Sequence, residues 1–166
     1  FSLSACLWRL VFLACTLPPL ATAQPENRNV SNASGDQNET AITINPLNNS
    51  FVVARSNYFL TTNYEPGYYY STDMGNSWSH GILPLGGAYD KGCDPSVCFD
   101  RLGNVYYGHL SLDNYSGVFA LDNGVFINKS TNNGTGWLAS PLIVVQHGDG
   151  SGTTERTVRE DKPYLT

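Results

Sequence analysis

The chain repeats itself, and that repeat limits what it can fold into more than any other feature. T-A-I-T-I-N-P-L-N-N-S-F-V-V-A from Thr40 realigns with P-S-V-C-F-D-R-L-G-N-V-Y-Y-G from Pro95. Further on, Y-Y-Y-S-T-D-M-G-N-S-W (Tyr68 to Trp78) realigns with I-N-K-S-T-N-N-G-T-G-W (Ile127 to Trp137). The offsets are about 55 and about 59 residues, so the loops vary while the units hold. In each unit an alternating strand (Ile42, Ile44; Val97, Phe99) meets an Asn/Gly-rich turn and a second strand. Two more strand signals complete the unit. Expected strands lie near 41–46, 50–58, 67–73 and 78–85, then near 95–100, 104–112, 124–131 and 137–146. A period of roughly 50 residues with four strands per unit is the sequence form of a β-propeller blade.

Composition agrees. The 166 residues are 41% hydrophobic and only 14% charged, with 16 Gly and 10 Tyr, which excludes a disordered chain. Tyr, Val, Thr, Gly and Asn favour strands and tight turns, while the helix-forming Ala, Glu and Lys are scarce, so a helical bundle is excluded. The expected fold is therefore all-β, a propeller of four-stranded antiparallel blades. Blade one covers about 40–86 and blade two about 94–147; a third begins near 161, where Asp161-Lys162-Pro163 parallels Asp94-Pro95. Propellers need about four to eight blades to close, so the chain reads as a fragment of a six- or seven-bladed ring. The net charge of −5 and the lack of a basic cluster argue against nucleic acid as a partner.

Residues 1–23 differ in kind. Leu7 to Leu20 is apolar except for Arg9 and Thr16, is broken by Pro18-Pro19, and leads to Ala21-Thr22-Ala23. An apolar core followed by A-x-A is the form of a secretory signal peptide cut after Ala23. A stable membrane anchor would need about 20 uninterrupted apolar residues. The expected location is extracellular or periplasmic, with residues 24–39 as a polar arm before the first blade. Cys93 and Cys98, in C-D-P-S-V-C, would remain after cleavage. They form a disulfide if the backbone bends between them, and are free thiols if it runs extended. C-x4-C without further Cys or a His cluster is not a zinc site, and neither metal nor cofactor is expected. Seven N-x-S/T sequons, beginning at Asn29, Asn32, Asn38, Asn48, Asn114, Asn128 and Asn133, become glycosylation sites where the source has that machinery.

Ser71, Asp73, Gly75 and Trp78 spell S-x-D-x-G-x-x-W; Ser130, Asn132, Gly134 and Trp137 spell it again with Asn for Asp. This pattern resembles the Asp-box, or BNR repeat, of the sialidase superfamily, over roughly residues 38–166. The likeness is greatest to secreted, exo-alpha-sialidase-like members. The box residues themselves read as structural: a short carboxylate or amide accepts backbone N–H bonds in a tight turn, and the glycine supplies positive φ.

The resemblance implies a glycoside hydrolase acting on terminal sugars of glycans or glycoconjugates, with its pocket on the face opposite the boxes. Family members clamp a substrate carboxylate with three arginines and use a Tyr–Glu nucleophile pair with an Asp acid/base. The sequence departs from this. It has no R-I-P motif; Arg55 lies in a second strand, and Arg101 reads as a turn residue on the box face. The candidates on the pocket face are Arg159, Asp161 and Asp94. Arg159 and Asp94 each have a plainer role, an interblade salt bridge for Arg159 and turn capping for Asp94. The alternative to an enzyme is a non-catalytic extracellular propeller that binds glycan or protein through aromatics such as Tyr64. Residues 24–166 alone are expected to be inactive.

Overall fold

The computed structural model describes residues 28–60, 63–113, 122–150 and 158–166. Its architecture is all-β, two antiparallel four-stranded sheets, and no helix occurs among the described residues. The first sheet takes its strands in chain order: β1 (Asp36–Ile44), β2 (Val52–Leu60), β3 (Asn63–Ser71) and β4 (Ser79–Ile82). The second does the same with β5 (Lys91–Phe99), β6 (Val105–Leu112), β7 (Asn123–Ser130) and β8 (Leu142–His147). Each sequence repeat is thus one sheet, and neither sheet closes on itself.

Several boundaries differ from the sequence expectation. The strand β1 begins at Asp36, inside the stretch read as the polar arm, because Asp36 and Gln37 pair with Phe59 and Tyr58. The expected strands 50–58 and 67–73 leave 59–66 between them; instead β2 and β3 run on and leave only 61–62. Cross-strand contact between Phe59 and Tyr64, ring centroids 4.9 Å apart, favours that extension. The strand β5 starts at Lys91, four residues before the expected strand. The presumed third-blade opening, from Asp161, forms no strand; residues 158–166 lie extended against the second sheet, where the Leu165 amide donates to Ser96 Oγ at 2.9 Å. Residues 1–23, for which a signal peptide is expected, fall outside the described residues.

Cys93 and Cys98 are both free thiols. The bend needed for a bridge is there, a β-bulge between Cys93 and Ser96 with Asp94 at φ 50°. It shifts register by one residue without reversing the strand. Both cysteines stay on β5, separated by up to about 16 Å of extended chain at roughly 3.3 Å per residue, far beyond disulfide reach.

The two sheets pack face to face. Val53 of β2 and Val105, Tyr107 and Phe126 of the second sheet are completely buried. Tyr107 reaches across and donates its hydroxyl to the Gly67 carbonyl at 3.0 Å. Trp137 wedges between Tyr68 of the first sheet and Tyr107 of its own, with centroids 5.4 and 6.1 Å away. Edge-to-face aromatic pairs of this kind add about 0.5–1.5 kcal/mol each beyond burial. Gly134 has no room for a side chain: at φ 83°, a Cβ would lie 2.6 Å from Val53 Cγ2. Behind Tyr107, buried His109 meets Asn128 Oδ1 at 2.8 Å, and Asn128 donates to the Pro84 carbonyl. Asn128 is wholly buried, so its sequon is closed to a glycan in the folded chain.

Candidate functional site

The ends of the two sheets have different chemistry. At one end lie the β1–β2 and β5–β6 turns and both box turns. Ser71 Oγ donates to Asp73 Oδ1 and accepts the Gly75 amide, each at 2.8 Å. Asp73 Oδ1 also accepts the Ser77 amide at 2.8 Å, and Oδ2 accepts the Ser77 hydroxyl at 2.6 Å. The second box repeats this with an amide: Ser130 Oγ donates to Asn132 Oδ1 at 2.8 Å, and Oδ1 accepts the Gly136 amide at 2.9 Å. Asn132 needs only its carbonyl oxygen for both contacts, which is why Asn can replace Asp. Met74 and Asn133, at φ 60° and 62°, precede Gly75 and Gly134, at 84° and 83°, so both turns use paired left-handed residues. Trp78 Nε1 donates to the Gly75 carbonyl at 2.9 Å, whereas the indole N–H of Trp137 is buried without a partner. The two units are stitched at this end by Asn45 Nδ2, which donates to Asn133 Oδ1 at 2.6 Å.

These hydrogen bonds hold the Asp73 carboxyl down to about 2, chiefly the Ser77 hydroxyl and amide and the Ser71 hydroxyl. A carboxyl depressed when folded stabilises above its unfolded pKa, about 4, and that contribution drains away as pH falls through about 2. Asp73→Asn keeps the acceptor geometry but cannot titrate. The variant should melt near the wild-type temperature at pH 7 and lose less between pH 5 and pH 2.5. Thermal melts by circular dichroism at both pH values check this; equal acid sensitivity would contradict it.

At the opposite end an open cleft of about 880 Å³ lies between the sheets and the segment 158–166. Its walls include Glu39 and Asn57 from the first sheet, Lys91 and Asp94 from the second, and Arg159, Glu160 and Asp161 from the segment. All three sequence candidates, Asp94, Arg159 and Asp161, therefore share one cleft, on the face away from the boxes. Glu39 was not anticipated, although the repeat pointed to it. It stands immediately before Thr40, as Asp94 stands before Pro95, and Lys162 stands likewise before Pro163. The three positions share a backbone feature: φ is 52° at Glu39, 50° at Asp94 and 24° at Lys162. Glu39 and Asp94 sit in matching β-bulges, between Asn38 and Ala41 and between Cys93 and Ser96. A bulge re-aims a side chain along the sheet edge.

The three side chains then meet. Lys162 Nζ lies 3.0 Å from Glu39 Oε1, and the Asp94 carboxyl stands near enough to Glu39 for the two to shift each other's titration. The Lys162 contact holds the Glu39 carboxyl below the usual range. Asp94 moves the other way, raised by burial and then by the Glu39 charge. The pair therefore consists of a carboxylate and a neighbour that keeps its proton to higher pH. Arg55 donates to the Glu39 carbonyl, and burial lowers its pKa. Cys93, in the same wall, is pushed up to about 12 by burial, then by the Asp94 charge, so it is no nucleophile at neutral pH.

The segment that supplies Arg159 is held by a residue that no sequence motif singles out. Asn123, 1% exposed, donates from Nδ2 to the Val158 carbonyl at 3.0 Å and accepts the Glu160 amide on Oδ1 at 3.1 Å. Glu160 is tied again by His147 Nε2 at 2.7 Å. Asn57, 5% exposed, donates to Asn38 Oδ1 at 3.0 Å while its own Oδ1 has no partner in the protein. An unmet buried acceptor costs about 1–3 kcal/mol. No group of three or more His, Cys, Asp or Glu able to hold a metal ion occurs among the described residues. Comparison of the chain with protein-family models, curated proteins and solved structures returns no match.

Proposed function

We propose that the protein is a secreted, sialidase-like glycoside hydrolase built as a β-propeller, in which each four-stranded sheet is one blade. Its substrates are the terminal sugars of glycoconjugates. The observation carrying this reading is the division of labour between the two ends. The repeated S-x-D/N-x-G-x-x-W turns occupy one end, and Asp94, Arg159 and Asp161 gather in a cleft at the other. On this reading Asp94 and Arg159 are the residues that meet the sugar, and further blades complete the wall opposite them.

A binding module without turnover is the second reading, and one observation favours it: among the described residues a single arginine, Arg159, lines the cleft. The test uses the full-length protein recovered from the culture medium, its amino terminus expected at Gln24. It is assayed against a panel of fluorogenic terminal glycosides, with Asp94→Asn as control. Turnover reduced at least tenfold in Asp94→Asn supports the hydrolase. Saturable glycan binding without turnover transfers the assignment to the binding module, and an intact protein that neither binds nor turns over any glycoside refutes both.

A further inference from the structure

The polar inventory of the cleft specifies its ligand more narrowly, and the step rests on the glycan-directed reading above. Four carboxyl groups, Glu39, Asp94, Glu160 and Asp161, line it against two cations, Lys91 and Arg159. Lys162, just beyond, pairs with Glu39, and Arg55 donates through one terminal nitrogen to the Glu39 carbonyl while its Nε is buried without a partner. Lys91 and Arg159 also have partners within the chain. An anionic ligand would thus meet a surplus of like charge on the cleft wall. Oxygen acceptors, by contrast, abound: the carboxyls of Glu39 and Asp94 stand side by side, and the unpartnered Oδ1 belongs to Asn57, 95% buried in the same wall. A ligand rich in O–H donors matches such a wall. At the rim Tyr64, 40% exposed and backed by Phe59, offers an aromatic face.

We propose that the ligand of this cleft is a neutral sugar ring, whose adjacent hydroxyl groups donate to Glu39 and Asp94 while its carbon-bound face lies on Tyr64. A sugar acid is disfavoured by the same groups. The positive φ shared by Glu39 and Asp94 gives the assignment a physical basis: non-glycine residues rarely hold such backbone, and here both use it to place an acceptor in the cleft.

The experiment is binding to the full chain, followed by saturation-transfer NMR and calorimetry. The probes are methyl β-galactopyranoside as the neutral ring, methyl α-N-acetylneuraminide as the sugar acid, and glucosamine as the cation. The neutral ring should bind saturably and at least tenfold more tightly than the sugar acid. Asp94→Gly removes the acceptor, suits the positive φ and should fold; it should weaken the neutral ring at least tenfold, as should Tyr64→Ser. Tighter binding of the sugar acid would overturn this inference and leave the sialidase-like reading standing. Tighter binding of glucosamine would overturn it too, by making the carboxyls a cation site. Absence of binding by all three, in a protein that melts cooperatively, would overturn both.

Discussion

Tyr107→Ala is expected to destabilise the protein by about 4 kcal/mol, the upper part of the range for aromatic truncation in a core. The ring is 0% exposed, and its hydroxyl ties the second sheet to the first. Its truncation would empty a site bounded by Trp137 and His109, with centroids 6.1 and 6.2 Å away, neither of which can collapse freely. Trp137 is held against Tyr68, and His109 is bonded to Asn128. Tyr107→Phe separates packing from hydrogen bonding. It keeps the ring but removes the hydroxyl that donates to the Gly67 carbonyl, and should cost about 1 kcal/mol. Urea unfolding of both variants measures the two terms. Equal losses would mean that the hydroxyl, not the ring, joins the sheets; a loss below about 1 kcal/mol for the alanine variant would mean that the sheets do not depend on this contact.

The same residues show why the fold was more legible than the site. Strand alternation and box turns are local signals. Ser71 and Asp73, or Ser130 and Asn132, close a turn with partners at most four residues away, so their roles are written in a short stretch. The sequence reading identified these residues and the all-β architecture with them. It placed Asp94, Arg159 and Asp161 on the face away from the boxes by counting connections, and the cleft does contain all three. Glu39 is hidden because the realigning stretch starts at Thr40, one residue after it. A bulge and a positive φ are backbone properties that the alternating pattern conceals, and the acid before Thr40 looked like the end of a polar arm. Asn57 and Asn123 were beyond reach for another reason. Each is a buried asparagine whose partners, Asn38 for one and Val158 with Glu160 for the other, lie 19 to 37 residues away. An Asn-rich chain has no sequence signal that separates these two from turn residues. The limits of the strands were misjudged where cross-strand aromatic contact extended them, as at Phe59 and Tyr64.

Asn123→Ala is expected to release the segment that carries Arg159 while leaving both sheets folded. Asn123 is the only side chain among the described residues shown to bond the backbone on both sides of Arg159, donating to Val158 and accepting from Glu160. Alanine removes both of these part-buried bonds, a local loss of about 2 kcal/mol. The Glu160 amide should therefore exchange with solvent about 30-fold faster, since every 1.4 kcal/mol is tenfold in an opening equilibrium. The Leu165 amide, held independently by Ser96 Oγ, should change by no more than a few-fold. Asn123→Asp tests the division of labour within the clamp: a carboxylate keeps the acceptor for Glu160 but loses the donor for Val158, so it should fall between wild type and alanine. If the cleft binds sugar through Glu39 and Asp94, neither of which touches Asn123, the neutral-ring affinity should weaken less than exchange at Glu160 accelerates. A variant in which Glu160 and Leu165 loosened together would show instead that the segment opens as one piece, with Asn123 as its hinge rather than its clamp.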